Sequence, residues 1–242
     1  MKKFELTDEF VTNVFGHKLF RIKALVAFGD VEKGELGGFI EKEDNLSHDD
    51  NAWVFGDARV SGDARVSGNA RVSGNAQVFD NAQVFGDAQV FGDARVSGDA
   101  RVFGDARVCG NAQVFDNARV FDNARVFGDA QVFGDARVFG DARVSGNARV
   151  SGNAQVFGNA DYAVVAGFGR YFRTTTFFRC KDKILRVQCG CFYGDLAQFR
   201  EIVKKTHGDS KYAKEYLAIA DLMELHFSDK CGGEQMNDGK IY

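Results

Sequence analysis

Proline is missing from all 242 residues. Every backbone N–H is therefore able to donate, which suits a chain of interior strands paired on both sides. No apolar run approaches the roughly eighteen residues needed to span a bilayer, so no membrane partner is expected. The opening Met1-Lys2-Lys3-Phe4-Glu5-Leu6 has a basic start without an apolar stretch, so a secretory leader is not expected either. The five cysteines (109, 180, 189, 191 and 231) are odd in number and lack the spacing of a disulfide framework. They are read as reduced thiols of a cytoplasmic protein. A net charge of −3 is too small to argue for nucleic acid. Histidine occurs only at 17, 48, 207 and 226, and nowhere in residues 51–158.

What is present is a repeat. From Asn51 to Gly158 a six-residue unit runs eighteen times without a slip, as in Asn-Ala-Trp-Val-Phe-Gly and Asp-Ala-Arg-Val-Ser-Gly. The first position is Asn or Asp, the second always Ala and the fourth always Val. The third is Arg eleven times, Gln six times and Trp once, at Trp53. The fifth is Phe eleven times, Ser six times and Cys once, at Cys109. The sixth is Gly except at Asp80, Asp116 and Asp122.

Residues two apart in a strand share a face, so Ala and Val point one way and Arg/Gln and Phe/Ser the other. Only the Ala/Val side is invariant and apolar, which makes it the core. Gly-Asp and Gly-Asn are corners, where a positive φ is affordable and a short polar side chain can bond nearby backbone. Short strand, corner, short strand predicts a mainly β fold, a parallel β-helix. The repeat resembles the hexapeptide family, in which an aliphatic residue and a small one four places later point inward, as Val60 and Ala64 do here. The resemblance implies a left-handed triangular helix with three hexads per coil, hence about six coils and roughly 29 Å of prism. The chain departs from that family in placing Gly two residues after Val rather than one.

The flanks are aperiodic. Residues 1–50 hold 7 Lys and Arg against 11 Asp and Glu and are expected to form a strand-rich cap, with a strand over Lys18–Leu25. Gly37–Ile40 and Asn45–Ser47 read as degenerate hexads leading into an array over 51–160. Residues 161–227 hold 11 Lys and Arg against 8 Asp and Glu and are expected to form a small α+β domain. Tyr171–Cys180 and Ile184–Cys189 read as a hairpin turned at Lys181-Asp182-Lys183. Asp195 can cap a helix that ends at Gly208, and Ser210 starts a second. Residues 228–242 read as a loose tail. Arg173-Thr-Thr-Thr-Phe-Phe-Arg179, Cys189-Gly-Cys-Phe192, His207-Gly208 and Tyr212-Ala-Lys-Glu-Tyr216 follow the array. Asp30, Gly34, Gly37–Ile40 and Asn51–Val54 precede or open it. In this arrangement the chain resembles uncharacterised proteins common in phages and prophages of gut bacteria, a resemblance that implies no activity.

Several constellations are candidates for chemistry. The hexapeptide resemblance implies acyltransferases or a zinc carbonic anhydrase, which use coil histidines. With none in the array, an acyltransferase would have to use His48 or His207, and it stands second to a non-enzymatic reading. Cys189-Gly-Cys191 lacks the usual zinc spacing and reads instead as two cysteines on one strand face in the small domain's core. No metal and no cofactor is expected. Arg170, Arg173, Arg179 and Arg186, with Thr174, Thr175 and Thr176 beside Gly167-Phe-Gly169, are a denser signal that suits a phosphate or nucleotide. The plainer alternative is a solvated hairpin face. The 11 Arg and 12 Asp of the array nearly cancel and read as interleaved surface charge. With three hexads per coil, Ser67, Phe85, Phe103, Phe121, Phe139 and Phe157 stack on one face. Five consecutive exposed Phe would be an apolar stripe in need of cover. A two-hexad coil would also stack Phe, at 79, 91, 103, 115, 127 and 139.

The expectation is a non-enzymatic phage or prophage scaffold or binding protein, a dimer or trimer in the bacterial cytoplasm. It would inhibit a host defence by binding a protein or a nucleotide. Arg170, Arg173, Thr174, Thr175, Arg179, His207 and Tyr212 would engage the ligand or partner. Phe85, Phe103, Phe121, Phe139 and Phe157 would form the oligomer or domain interface.

Overall fold

The computed structural model describes residues 1–228. The loose tail expected from 228 onward, apart from Ser228, lies outside the described residues. The array is a parallel β-solenoid, and each hexad contributes one two-residue strand. Strands pair in parallel with those eighteen residues away, Arg59↔Gln77 and Val60↔Val78 for instance. Three hexads therefore make a turn, and the two-hexad coil is excluded. The first face runs from Arg59–Val60 to Arg149–Val150, the second from Arg65–Val66 to Gln155–Val156, and the third from Trp53–Val54 to Arg143–Val144. The eighteen hexads supply six turns. Phe39-Ile40 pairs with Arg59-Val60, and Leu46 bridges to Val66, so the degenerate hexads begin one more turn. The solenoid has about seven turns.

The ladder is regular. The third residue's N–H donates to the Ala carbonyl of the next turn (Arg101 N to Ala118 O, 2.9 Å), and the fifth residue's to the Val carbonyl (Phe103 N to Val120 O, 3.0 Å). Every array Ala and Val is buried. At Gly104 φ is +68°, and an added Cβ would lie 2.9 Å from Asp122 N, so the corner has neither the dihedral nor the room for an ordinary side chain. Asp80, Asp116 and Asp122 adopt the same left-handed conformation, and each accepts from the backbone N–H of the next turn (Gly98, Gly134, Gly140). At first positions Asn donates to the Asp one turn on, as in Asn75 to Asp93 (2.9 Å) and Asn117 to Asp135 (3.0 Å). On two of the three first-position columns Asn and Asp alternate and so keep like charges from stacking about 4.8 Å apart; on the third, Asp87 and Asp105 are direct neighbours.

Both ends of the solenoid are closed. Phe4–Thr12 and Lys18–Ala24 form an antiparallel hairpin whose second strand pairs with Leu36–Ile40, extending the first face upward. Trp53, at an outward position, is buried because Phe4 and Phe28 pack edge-on against it. At the other end an antiparallel sheet runs in the order Tyr162–Val165, Thr175–Arg179, Leu185–Cys189, Phe192–Asp195. One side of this sheet lies across the last turn. Phe178 and Cys180 join the solenoid core, Arg149 N–H donates to Thr176 Oγ1 (3.0 Å), and Ser151 Oγ donates to Gln188 Oε1 (3.0 Å). The other side, with Phe177 and Val187, is covered by α1 (Leu196–His207) and α2 (Lys211–Ser228). Asp195 caps α1 by accepting from Gln198 N (2.8 Å), and the helix ends at Gly208.

Candidate functional site

The alternation of the Thr175–Arg179 strand divides the expected arginine and threonine cluster. Thr175, Phe177 and Arg179 face the helices, while Thr176 and Phe178 face the solenoid. Thr175 is 2% exposed and donates to Cys189 Sγ (3.2 Å). Arg179 donates to Phe227 O (2.5 Å) and lies over the Phe227 ring. Arg186 forms a two-pronged pair with Asp182 (3.1 and 2.7 Å). Thr175 and Arg179, expected to meet a ligand, are thus occupied inside the domain, and Thr174 sits half-buried at the strand's start, outside the pocket. The reason is the strand's two-residue period, which turns neighbours to opposite sides.

Arg170, Arg173 and His207 do come together. They border a pocket of about 160 Å³ with Tyr171, Cys189, Phe192, Phe199, Ile202, Val203, Thr206 and Tyr216. Its walls are apolar rings and aliphatic side chains, and its rim is basic. Among the described residues Arg170 and Arg173 have no ion pair and no hydrogen bond, and both guanidinium groups lie about 5 Å from the Tyr171 ring centroid (5.5 and 5.1 Å). The His207 ring stacks on Tyr216 (5.9 Å) and meets Tyr212 edge-on (6.3 Å), which leaves Tyr212 one layer behind the pocket. Burial, reinforced by the neighbouring Cys189, pushes Tyr216 up to about 12, so it is a neutral phenol at physiological pH.

Sequence reasoning missed the aromatic half of this site. Phe168, Tyr171 and Phe172 stand in solvent on the loop that carries the two arginines. Gly169 N–H donates to Glu215 Oε2 (2.9 Å), and Tyr216 Oη donates to Phe168 O (3.4 Å), pinning the loop to α2. Gly169 has φ +71°, and a Cβ there would lie 2.2 Å from Tyr216 Oη, so only glycine lets the loop pass. Phe172 also has a positive φ (+50°), a strained conformation for a bulky side chain, of the kind that concentrates at functional loops. The available signal was the run Phe168-Gly-Arg-Tyr-Phe-Arg173, since aromatics and arginine are the residues enriched at interface hot spots.

Cys189 and Cys191 do not share a strand face. Cys189 ends one strand, and Cys191 is exposed in the two-residue turn Gly190-Cys191 that leads to Phe192. His48 stacks on Phe4 (4.3 Å), and its Nδ1 accepts from Lys3 N–H (3.2 Å). The Phe stripe holds four rings rather than five. Phe85, Phe103, Phe121 and Phe139 stack at 4.9–5.0 Å, nearly parallel and each half-buried by its neighbours. Phe157 turns edge-on and is 62% exposed, because the chain leaves the solenoid at Gly158. No described helix is long and apolar enough to cross a membrane.

Seven stretches, residues 64–78, 88–102, 94–110, 112–128, 118–132, 130–145 and 142–158, match the family model described as the YdcK beta solenoid repeat. All lie within the array, so the likeness concerns the solenoid and leaves both flanks outside it. No curated protein matches the chain. In its repeat, then, the chain is similar to a β-solenoid family, and its C-terminal domain stands apart from that likeness.

Proposed function

We propose that this chain is a non-enzymatic binding protein, in which the solenoid sets spacing and self-association and the C-terminal domain engages a partner. The observation that carries the reading is the Gly167–Arg173 loop. There Phe168, Tyr171 and Phe172 stand in solvent beside two arginines that have no ion pair among the described residues, over a basic-rimmed pocket. Exposed aromatics and arginine on a pinned loop suit a protein surface with acidic groups and one apolar anchor. The pocket volume of about 160 Å³ fits a benzene-sized group. A whole nucleotide needs more, since ligand pockets run to roughly 300–1,000 Å³. The protein-binding version is therefore preferred to nucleotide sequestration. In the setting suggested by the phage-like arrangement, the partner is a bacterial defence protein, met in the cytoplasm. We place the solenoid with the left-handed hexapeptide prisms, on the strength of its strict six-residue register and three-hexad turn.

A pull-down from infected cells, with mass spectrometry of proteins and small molecules together, tests this. The expected result is a stoichiometric protein that is lost with Tyr171→Ala plus Arg173→Gln. A co-purifying nucleotide, or a melting shift with a nucleotide panel, would favour sequestration instead. Acyl-CoA binding by calorimetry would overturn the reading in favour of an acyltransferase.

A further inference from the structure

We infer that the partner of the Phe ladder is a second copy of this chain, lying parallel to the first about a twofold axis along the solenoid. The inference rests on the self-association proposed above and specifies its geometry. Among the described residues, only the second face carries an unbroken ladder, Phe85-Phe103-Phe121-Phe139. On the first face Ser97 precedes the Phe115–Phe133 pair and Ser151 follows it, and on the third Cys109 separates Phe91 from Phe127. Stacking already fixes these rings, so presenting their edges to a partner costs little further side-chain entropy.

Charge selects the orientation. On one side of the ladder run Gln83, Arg101, Arg119 and Arg137, bordered by Asp99, Asn117 and Asp135. On the other run Asp87, Asp105, Asp122 and Asp141. All these Arg and Asp side chains are exposed, and none is in an ion pair among the described residues. The first strip sums to about +1 and the second to about −4. Face-to-face packing of two copies allows two twofold axes within the interface. An axis across the solenoid sets arginine strip against arginine strip and aspartate against aspartate. An axis along the solenoid sets Phe103 on the partner's Phe103, Arg101 opposite the partner's Asp105, and Arg137 opposite the partner's Asp141. Only the second arrangement is complementary. One face, roughly 29 by 17 Å, would bury on the order of 1,000 Å² across the pair, at the lower bound of a specific interface. The dimer is therefore expected to be reversible.

Sedimentation equilibrium of the full chain, with a cysteine crosslink, tests this. Serine occupies the same hexad position at Ser97 and Ser145, so Phe103→Ser plus Phe121→Ser keeps the fold, which melting verifies. The expected result is a wild-type dimer that this variant weakens at least tenfold. With Cys109, Cys191 and Cys231 changed to Ser, Phe85→Cys is expected to give a covalent dimer with a short bis-maleimide, since packed sheets stand about 10 Å apart and hold the two thiols beyond disulfide reach. In the antiparallel alternative position 85 faces the partner's Phe139, and the crosslink fails. A monomeric wild type would overturn self-association itself. A trimer, a dimer unaffected by the serine variant, or a missing Phe85→Cys crosslink would overturn the parallel ladder while leaving self-association standing.

Discussion

Between Asn51 and Gly158 the inward side chains of the hexads are only Ala and Val; the two ends bury Phe, Trp, Leu, Ile, Tyr and Met in mixed clusters. The contrast extends to polar groups. Among the described residues the buried polar side chains are Lys3, Asn45, Ser151, Thr175, Thr176 and Gln188. All lie in the ends, except Ser151 in the last turn, where it meets Gln188. A periodic core repeats whatever it holds at every turn, so it can tolerate only groups that need no partner. Aperiodic ends can give a buried polar atom one specific neighbour. The array therefore supplies length and repeated surface, and the ends supply individual sites.

The sharpest way to break this contrast is to place a charge in the array. Val102→Asp buries a carboxylate between Val84 and Val120 with no donor aimed at it. The expected cost exceeds about 4 kcal/mol, enough to abolish cooperative folding by circular dichroism. A variant that melts within a few degrees of the wild type would contradict the description of the core.

At the N-terminal end the opposite holds, because a buried ammonium is tolerated there. Lys3 Nζ donates to the carbonyls of Ala52 (2.9 Å), Asp49 and Asp50 (both 3.3 Å). Burial still lowers its pKa from 10.5 to about 8, against the opposing pull of Asp50 and Asp49. Below pH 8 the amine is charged in both folded and unfolded chains, and the penalty is fully present. Between 8 and 10.5 the unfolded chain holds the extra proton, so this group makes stability rise with pH, by up to about 3 kcal/mol. Denaturant melts at pH 7.5 and 10 should show the rise, and Lys3→Met should remove it.

A corner substitution has a smaller effect. Gly104→Val forces a β-branched residue into φ +68° against Asp122 and should cost about 2 kcal/mol in urea unfolding. Gly104→Asp should cost about half as much, since Asp takes this conformation at three equivalent corners. Smallest of all, Arg170→Gln plus Arg173→Gln should change stability by less than about 0.5 kcal/mol, because among the described residues neither side chain has a polar partner to lose. If that pair proves structural, the melt will show it and the loop loses its standing as a binding surface.

The sequence by itself determined the solenoid. A six-residue period with invariant Val and Ala defines which side chains are inside, where the corners fall and which columns stack, because every turn is its own neighbour's template. It also located both C-terminal helices through their caps, Asp195 and Gly208 for the first and Ser210 for the second, since capping is local chemistry. Tertiary structure decided the rest. The Phe pattern fitted two-hexad and three-hexad turns alike, and only the eighteen-residue pairing separates them. The four clustered arginines looked equivalent along the chain. A strand's alternation and two local partners occupied Arg179 and Arg186, and left Arg170 and Arg173 at the pocket. Aperiodic segments find their neighbours across distant parts of the chain. Those long-range contacts, rather than any local propensity, turned Phe178 into a plug for the solenoid and Gly169 into the pass over Tyr216.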